Sequence, residues 1–316
     1  MTGADGTYDY KAMAAGIVSA GGEGMGNLLP VVEKELLHYR ILDAMMREGF
    51  FSSLVFQGGT SLRLCHGSPR YSEDLDFAGG TSFDMDTLKG LGSCISDSLS
   101  GMGDDVTVRV KEPRPDADGL TRRWRIAIRT AGQRKDLPSQ TIKLEVASIP
   151  AYEPQHRPAL VNYPMFPALS GQIILDVESP TEILADKLLS YACASRLRRR
   201  DLWDMCWLAS RGDVDSRRAM ELAELKSSDY GEEGLWADRA DRVAGADVIG
   251  SDAFADEMRR FLPAGLMTST VESPRWSAWA IEQIGTLYGT PGTPSSADAV
   301  PGFPIFGASN DSSPTR

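Results

Sequence analysis

Apolar side chains recur at three- and four-residue spacing between residues 30 and 48, at Val32, Leu36, Tyr39, Leu42 and Met46. This period predicts an amphipathic helix, with Gly49 placed to end it. A second helix is expected over 84–100, turning Met85, Leu88, Leu91, Ile95 and Leu99 inward. Between the two helices the pattern is different. Leu54, Val55 and Phe56 read as a short apolar strand, Gly58-Gly59 breaks it, and a helical run over 60–65 leads through a Gly-Pro turn to a second strand. Strands are then expected over 105–111, 123–130 and 141–148, the last placing Ile142, Leu144 and Val146 on one face and Lys143 with Glu145 on the other. Residues 150–172 are Pro-rich and read as an irregular linker, before a short strand over 173–177.

The chain then turns helical. Ser179-Pro180-Thr181-Glu182 combines a capping hydroxyl, a first-turn proline and an acid three residues after the cap, which predicts a sharp helix start. That helix buries Leu184, Leu188 and Tyr191 and carries Lys187 on its edge. The next carries Asp201 and Asp204 three residues apart on one face. Further helices are expected over 216–226, 253–262 and 275–288. The domain division that follows is a loose arm over 1–27 with a weak helical signal near Tyr10 to Ala20, a catalytic unit over 28–178, a helical unit over 179–288 and a disordered tail over 289–316.

Composition narrows the class. With 316 residues, 42% of them hydrophobic, the chain has material for a sizeable core. A net charge of −11 argues against broad, non-specific nucleic-acid binding, though not against a local basic patch. The four cysteines, Cys65, Cys94, Cys193 and Cys206, are dispersed and form no Cys-x-x-Cys pair, which disfavours a zinc site and fits a cytoplasmic location. No apolar run reaches membrane-spanning length, so no membrane association is expected.

The chemistry gathers in VFQGGTSLRLCHGSPRYSEDLDF, residues 55–77. Strand alternation puts Asp74 and Asp76 on one face and Leu75 and Phe77 on the other. Two adjacent carboxylates on an apolar strand repel each other and lose solvation unless a cation lies between them, and Mg²⁺ favours carboxylate plus phosphate oxygens. Gly58 and Gly59 permit close approach to the backbone just ahead of a helix start whose free N–H groups favour phosphate. Each part has a plainer reading, as a tight turn or as surface charge. Together they describe a site for a nucleoside triphosphate and its metal.

The GGTSL and RYSEDLDF segments resemble the signature of AbiEii/MenT-type toxins, members of the DNA polymerase β-like nucleotidyltransferase superfamily. Lys187-Leu188, Arg196 and the Arg200-Asp201-Leu202-Trp203-Asp204 run match the family's later motifs, with Trp203 where Tyr is commoner. The resemblance implies an α+β fold: a mixed sheet flanked by helices as the polymerase β-like core, then a C-terminal helical domain. It implies Mg²⁺-dependent nucleotidyl transfer, one or two ions with Mn²⁺ as an alternative, held by Asp74 and Asp76. The NTP would be bound by Gly58, Gly59, Thr60, Ser61, Ser72 and Lys187, with Arg70 either steering phosphate or pairing with Glu73. Glu145, at the family's third acidic position, or Asp201 would accept the proton. The implied acceptor is RNA, the tRNA 3′ end foremost, or a protein hydroxyl as in related enzymes, and the implied partner is a cognate antitoxin within a toxin–antitoxin or phage-defence system. Two arginine clusters offer phosphate contacts or a solvated face: Arg122, Arg123, Arg125, Arg129 and Arg134, and then Arg196, Arg198, Arg199 and Arg200. The alternatives are a metal-dependent phosphodiesterase or nuclease, and a non-catalytic nucleotide-binding module.

Overall fold

The computed structural model of the chain describes residues 10–22, 24–100, 102, 106–114, 119–129, 139–163, 173–239 and 248–289. Among these, seven strands form one mixed sheet: β1 (Val55–Gln57), β2 (Leu75–Ala78), β3 (Thr107–Lys111), β4 (Thr121–Arg129), β5 (Gln140–Ala147), β6 (Pro154–Pro158) and β7 (Ile174–Glu178). Their order is β3-β4-β5-β2-β1-β7-β6. At the centre, β2 runs antiparallel to β1 and parallel to β5, while β1 runs parallel to β7. These short central strands are apolar on one face because that face is covered. Phe56, Leu75, Phe77, Leu144 and Val146 are fully buried, and the Phe56 and Phe77 rings stack at 5.0 Å. Helices α1 (Tyr10–Ala20), α2 (Leu29–Arg47) and α4 (Leu91–Ser100) contribute to the same core. Asp76, next in line to Phe77, therefore turns to the opposite face.

Several sequence expectations change here. The arm foreseen over residues 1–27 contains α1, whose Tyr10, Met13, Ala14 and Ile17 are buried in the first core. Met45 rather than Met46 is fully buried on α2, while Gly49 closes that helix with φ at +76°. The helix foreseen over 84–100 is split by Gly90 into a 3₁₀ turn, Met85–Leu88, and α4. Within the expected linker, β6 pairs with β7 as an edge strand, a position that tolerates its terminal prolines. Arg134 and the tail beyond Gly289 lie outside the described residues.

The second half is helical: α5 (Pro180–Cys193), α6 (Arg199–Ala209), α7 (Ser216–Tyr230), α8 (Glu233–Ala237), α9 (Asp252–Met258), α10 (Ala264–Ser269) and α11 (Pro274–Leu287). Ser179 caps α5, its hydroxyl accepting from the Glu182 N–H at 3.0 Å. Glu182 does not reach back to complete a capping box; its carboxylate accepts from the Tyr152 and Glu153 N–H groups at 2.8 and 2.7 Å. The capping acid thus pins the loop before β6 to the helix. Trp203, Trp236, Phe254 and Trp276 anchor a second apolar core, each burial worth roughly 2–3 kcal/mol. Helix α3 (Gly58–Cys65) bridges the two cores, with Leu64 and Cys65 in the first and Leu62 in the second. The site lies where that bridge begins.

Candidate active site

The backbone makes the first feature. Strand β1 stops at Gln57 and α3 begins at the next residue, so the chain must reverse within one position. Gly58 does this with φ at +79°, in the left-handed region, and a Cβ there would stand 2.8 Å from Asp76 Oδ2. At Gly59 a Cβ would lie 2.7 Å from Arg70 Nη2 and 2.9 Å from Ser72 Oγ. Ser61 Oγ donates to the Gly58 carbonyl at 2.8 Å, and the Thr60 hydroxyl donates to the Asp74 carbonyl. Both hydroxyls are buried and committed to shaping the bend. What the bend offers a ligand is its backbone N–H groups, which have no acceptor within the first helical turn. Gly58→Ala adds positive-φ strain of about 1–2 kcal/mol and displaces the Asp76 carboxylate. The expected result is a protein that still folds but has lost most of its transfer activity, checked by melting and turnover together.

Carboxylates make the second feature. β2 and β5 run parallel with Asp76 in register with Glu145. The Asp76 carboxyl is pushed up to about 7 by burial first, then by the negative charges of Glu145 and Asp74, which Lys187 and Lys143 only partly offset. Asp74 stands just ahead of β2 and accepts from both the Lys143 N–H and Lys143 Nζ at 3.2 Å. Glu145 is ion-paired with Arg123 of the neighbouring strand. Among the described residues, no group of three His, Cys, Asp or Glu side chains is gathered as a metal cage. The donor set nevertheless suits a Mg²⁺ ion that takes one or two carboxylates and fills its other positions with phosphate and water. Its mark is the under-compensated charge on Asp76.

The third feature is a cation. Lys187, on α5, is largely buried; its ammonium lies 2.7 Å from Asp201 Oδ1 and 3.0 Å from Asp204 Oδ2. Burial alone would lower its pKa, but Asp201 and then Asp204 more than offset that and hold it above the usual lysine value. Asp201 also accepts from Ser190 Oγ at 3.1 Å and lies 3.9 Å from Arg198. Gly58, Asp76, Glu145, Lys187, Asp201 and Arg198 border one cleft of about 330 Å³, a volume within the range of small-molecule sites. Tyr230 and Glu232, at the end of α7, line it too.

A family model described as the AbiEii nucleotidyltransferase toxin of type IV toxin–antitoxin systems matches residues 40–284. The chain belongs to the AbiEii toxin family. It is a nucleotidyltransferase and the toxin of such a pair. MenT4, a nucleotidyltransferase toxin from Mycobacterium tuberculosis H37Rv, shares its fold at 22% identity and a TM-score of 0.62, over 88% of this chain and 89% of that one. JHP933 from Helicobacter pylori is 17% identical over 82% of this chain and 92% of its own, with a TM-score of 0.46. None of the curated proteins matches the chain. The mixed sheet flanked by helices, with a helical C-terminal half, is the fold that the resemblance implied.

In this AbiEii toxin the expected site residues divide into two sets. Gly58, Asp76, Glu145, Lys187 and Asp201 meet at the cleft, whereas Asp74, Gly59, Thr60, Ser61, Ser72 and Arg70 stand outside its lining. Arg70 does not pair with Glu73, the side-chain partner expected for it. Its guanidinium is buried and grips Asp204 through Nε and Nη2 at 2.6 and 2.7 Å, while Glu73 pairs with Lys34 at 2.6 Å and Arg200 at 3.4 Å. Sequence reasoning missed Asp204 as a partner of both Arg70 and Lys187. It also missed Asp186, Tyr230 and Glu232 at the cleft. The three-residue spacing of Asp201 and Asp204 was the one available signal, because it places both on the helix face that meets α5.

Proposed function

We propose that this toxin transfers a nucleoside monophosphate from an NTP to an RNA acceptor, the 3′ end of tRNA being the expected one, and that it acts with Mg²⁺ under restraint by a cognate antitoxin. The observation that carries this reading is the meeting of Asp76 and Glu145 with the Gly58 bend and Lys187 around a single cleft. Asp76 and Asp74 would hold the metal, which when bound supplies Lewis-acid charge to the phosphate oxygens. The N–H groups of the Gly58–Gly59 bend bind phosphate oxygens at the start of α3. Lys187 and Arg198 add positive charge where the leaving pyrophosphate gathers negative charge. Glu145 is the better-placed proton acceptor: it is partly open to solvent and tied to one half-exposed arginine. Asp201 is committed to Lys187 and Ser190, so it positions the lysine. Arg123, exposed beside the cleft, is suited to an acceptor's phosphates.

Lys187→Ala is expected to lower transfer on the order of 10²–10³-fold, the scale of losing one pre-organised charge at a developing anion, and to relieve growth arrest on expression. The assay incubates the protein with Mg²⁺, each labelled NTP in turn and bulk tRNA. Label entering RNA supports transfer, and shortening of the RNA without label would point to hydrolysis instead. A variant that remains fully toxic would remove Lys187 from the site.

A further inference from the structure

Arg70 and Asp204 do not border the cleft, yet Asp204 meets both Arg70 and Lys187, and the lysine does border it. This carboxylate is fully buried on α6. Its two oxygens accept Arg70 Nε and Nη2 at 2.6 and 2.7 Å, and Oδ2 also lies 3.0 Å from Lys187 Nζ. The other Arg70 nitrogen, Nη1, donates to the Tyr71 carbonyl at 2.8 Å. Arg70 thus directs Nε, Nη1 and Nη2 to Asp204 and the Tyr71 carbonyl, and a Cβ at Gly59 would stand 2.7 Å from Nη2. Arg70, Lys187, Asp201 and Asp204 together balance to zero charge.

We propose that Arg70 is a positioning residue for Lys187: by occupying both oxygens of Asp204 it limits that carboxylate's hold on the lysine, leaving Asp201 to orient the ammonium toward a bound triphosphate. The proposal rests on the reading of Lys187 as the triphosphate contact and adds the residue that sets its availability. A planar guanidinium fork satisfies a carboxylate on two oxygens at once, which an ammonium does not do. In a dry interior, a carboxylate deprived of that fork turns its full charge on the nearest remaining cation. Here that cation is Lys187. With Arg70 in place, Asp204 is shared and its carboxyl is held below the usual range: burial opposes this, but Arg70 and then Lys187 outweigh it. The same arginine stands beside Gly59, where its Nη2 leaves no room for a Cβ.

The test is a charge-removal pair. Arg70→Met should lower kcat/KM for the NTP by about 100-fold, chiefly through KM, because Lys187 is drawn onto Asp204. Removing the offending carboxylate as well, in Arg70→Met/Asp204→Leu, should recover on the order of tenfold, the coupling seen between neighbours in one ion network. A purely structural role predicts that relieving the stranded, buried carboxylate restores the melting temperature and kcat while KM for the NTP stays raised, and that result would overturn the proposal. Arg70→Lys keeps the charge and the fold but loses the fork; a several-fold rise in KM is expected, and an unchanged KM counts against the proposal. That variant carries the test if Arg70→Met does not melt cooperatively. NTP binding is read separately from the thermal shift that each NTP with Mg²⁺ produces. Lys187→Ala run alongside keeps the two ideas apart. If it is as active as the parent, the lysine reading fails; if it is inactive while KM of the double variant stays raised, only the role of Arg70 fails.

Discussion

Asp76→Asn is expected to abolish transfer, by about 10³-fold or more, while making the metal-free protein more heat-stable at pH 8. The two effects have one cause. Folding presses the Asp76 carboxyl against Glu145 and Asp74 in a partly buried site, lifting it from 3.8 to about 7. The folded protein therefore holds that proton more tightly than the unfolded chain. The resulting stability is fully present below about pH 4 and is lost as the pH rises through about 7. Discounted for partial exposure, the loss is on the order of 3 kcal/mol at pH 8. Asparagine carries no charge to desolvate, so the variant should melt roughly 5–10 °C above the parent at pH 8 and level with it near pH 4. Mg²⁺ should raise the parent's melting temperature and leave that of the variant in place. Parent and variant melting together at pH 8 would show that Asp76 is not under-compensated.

The largest stability effect belongs elsewhere. Lys226 on α7 has no exposed surface, and its ammonium lies 2.7 Å from Glu178, 2.9 Å from Glu182 and 2.9 Å from Asp186. One cation thus serves three carboxylates, at the end of β7 and on the first two turns of α5. Burial, and then the neighbouring Asp186, pushes the Glu178 carboxyl well above its usual range, and one Glu178 oxygen has no partner. Lys226→Met would fill the space but strand the carboxylates, at a cost of about 3–5 kcal/mol and roughly 10 °C in melting temperature. The deficit should shrink as the pH falls, because the stranded acids take up protons in the folded state more readily than in the unfolded one. Asp186 borders the cleft and precedes Lys187, so turnover should fall with stability. A variant that melts within 2 °C of the parent would show the network to be dispensable.

Much of the frame was legible because it depends on neighbours in sequence. Alternation placed Phe77 and Leu75 inward and Asp76 outward, and the Ser179-Pro180 pair marked the start of α5 to the residue. Legibility failed where local pattern was weak or distant partners decided. The edge strand β6 reads PQHRP, with no apolar alternation, and exists because β7 offers it a ladder. Helix α1 gave only a weak signal within a loose arm because its small residues carry little apolar pattern until α2 covers them. Glu182 had the spacing of a capping box, yet the loop before β6 and Lys226 claim its carboxylate.

By itself the sequence determined the strand–glycine–helix bend and the outward face of Asp76, since both follow from backbone stereochemistry and the two-residue period of a strand. Tertiary structure alone decided the charge pairing. Arg70 and Asp204 are separated by 134 positions and Lys226 and Glu178 by 48, and no local rule links them. Which acid stays free and which is neutralised depends on what lies within a few ångströms once two cores have packed, because attraction between charges gains its strength only after water has been excluded.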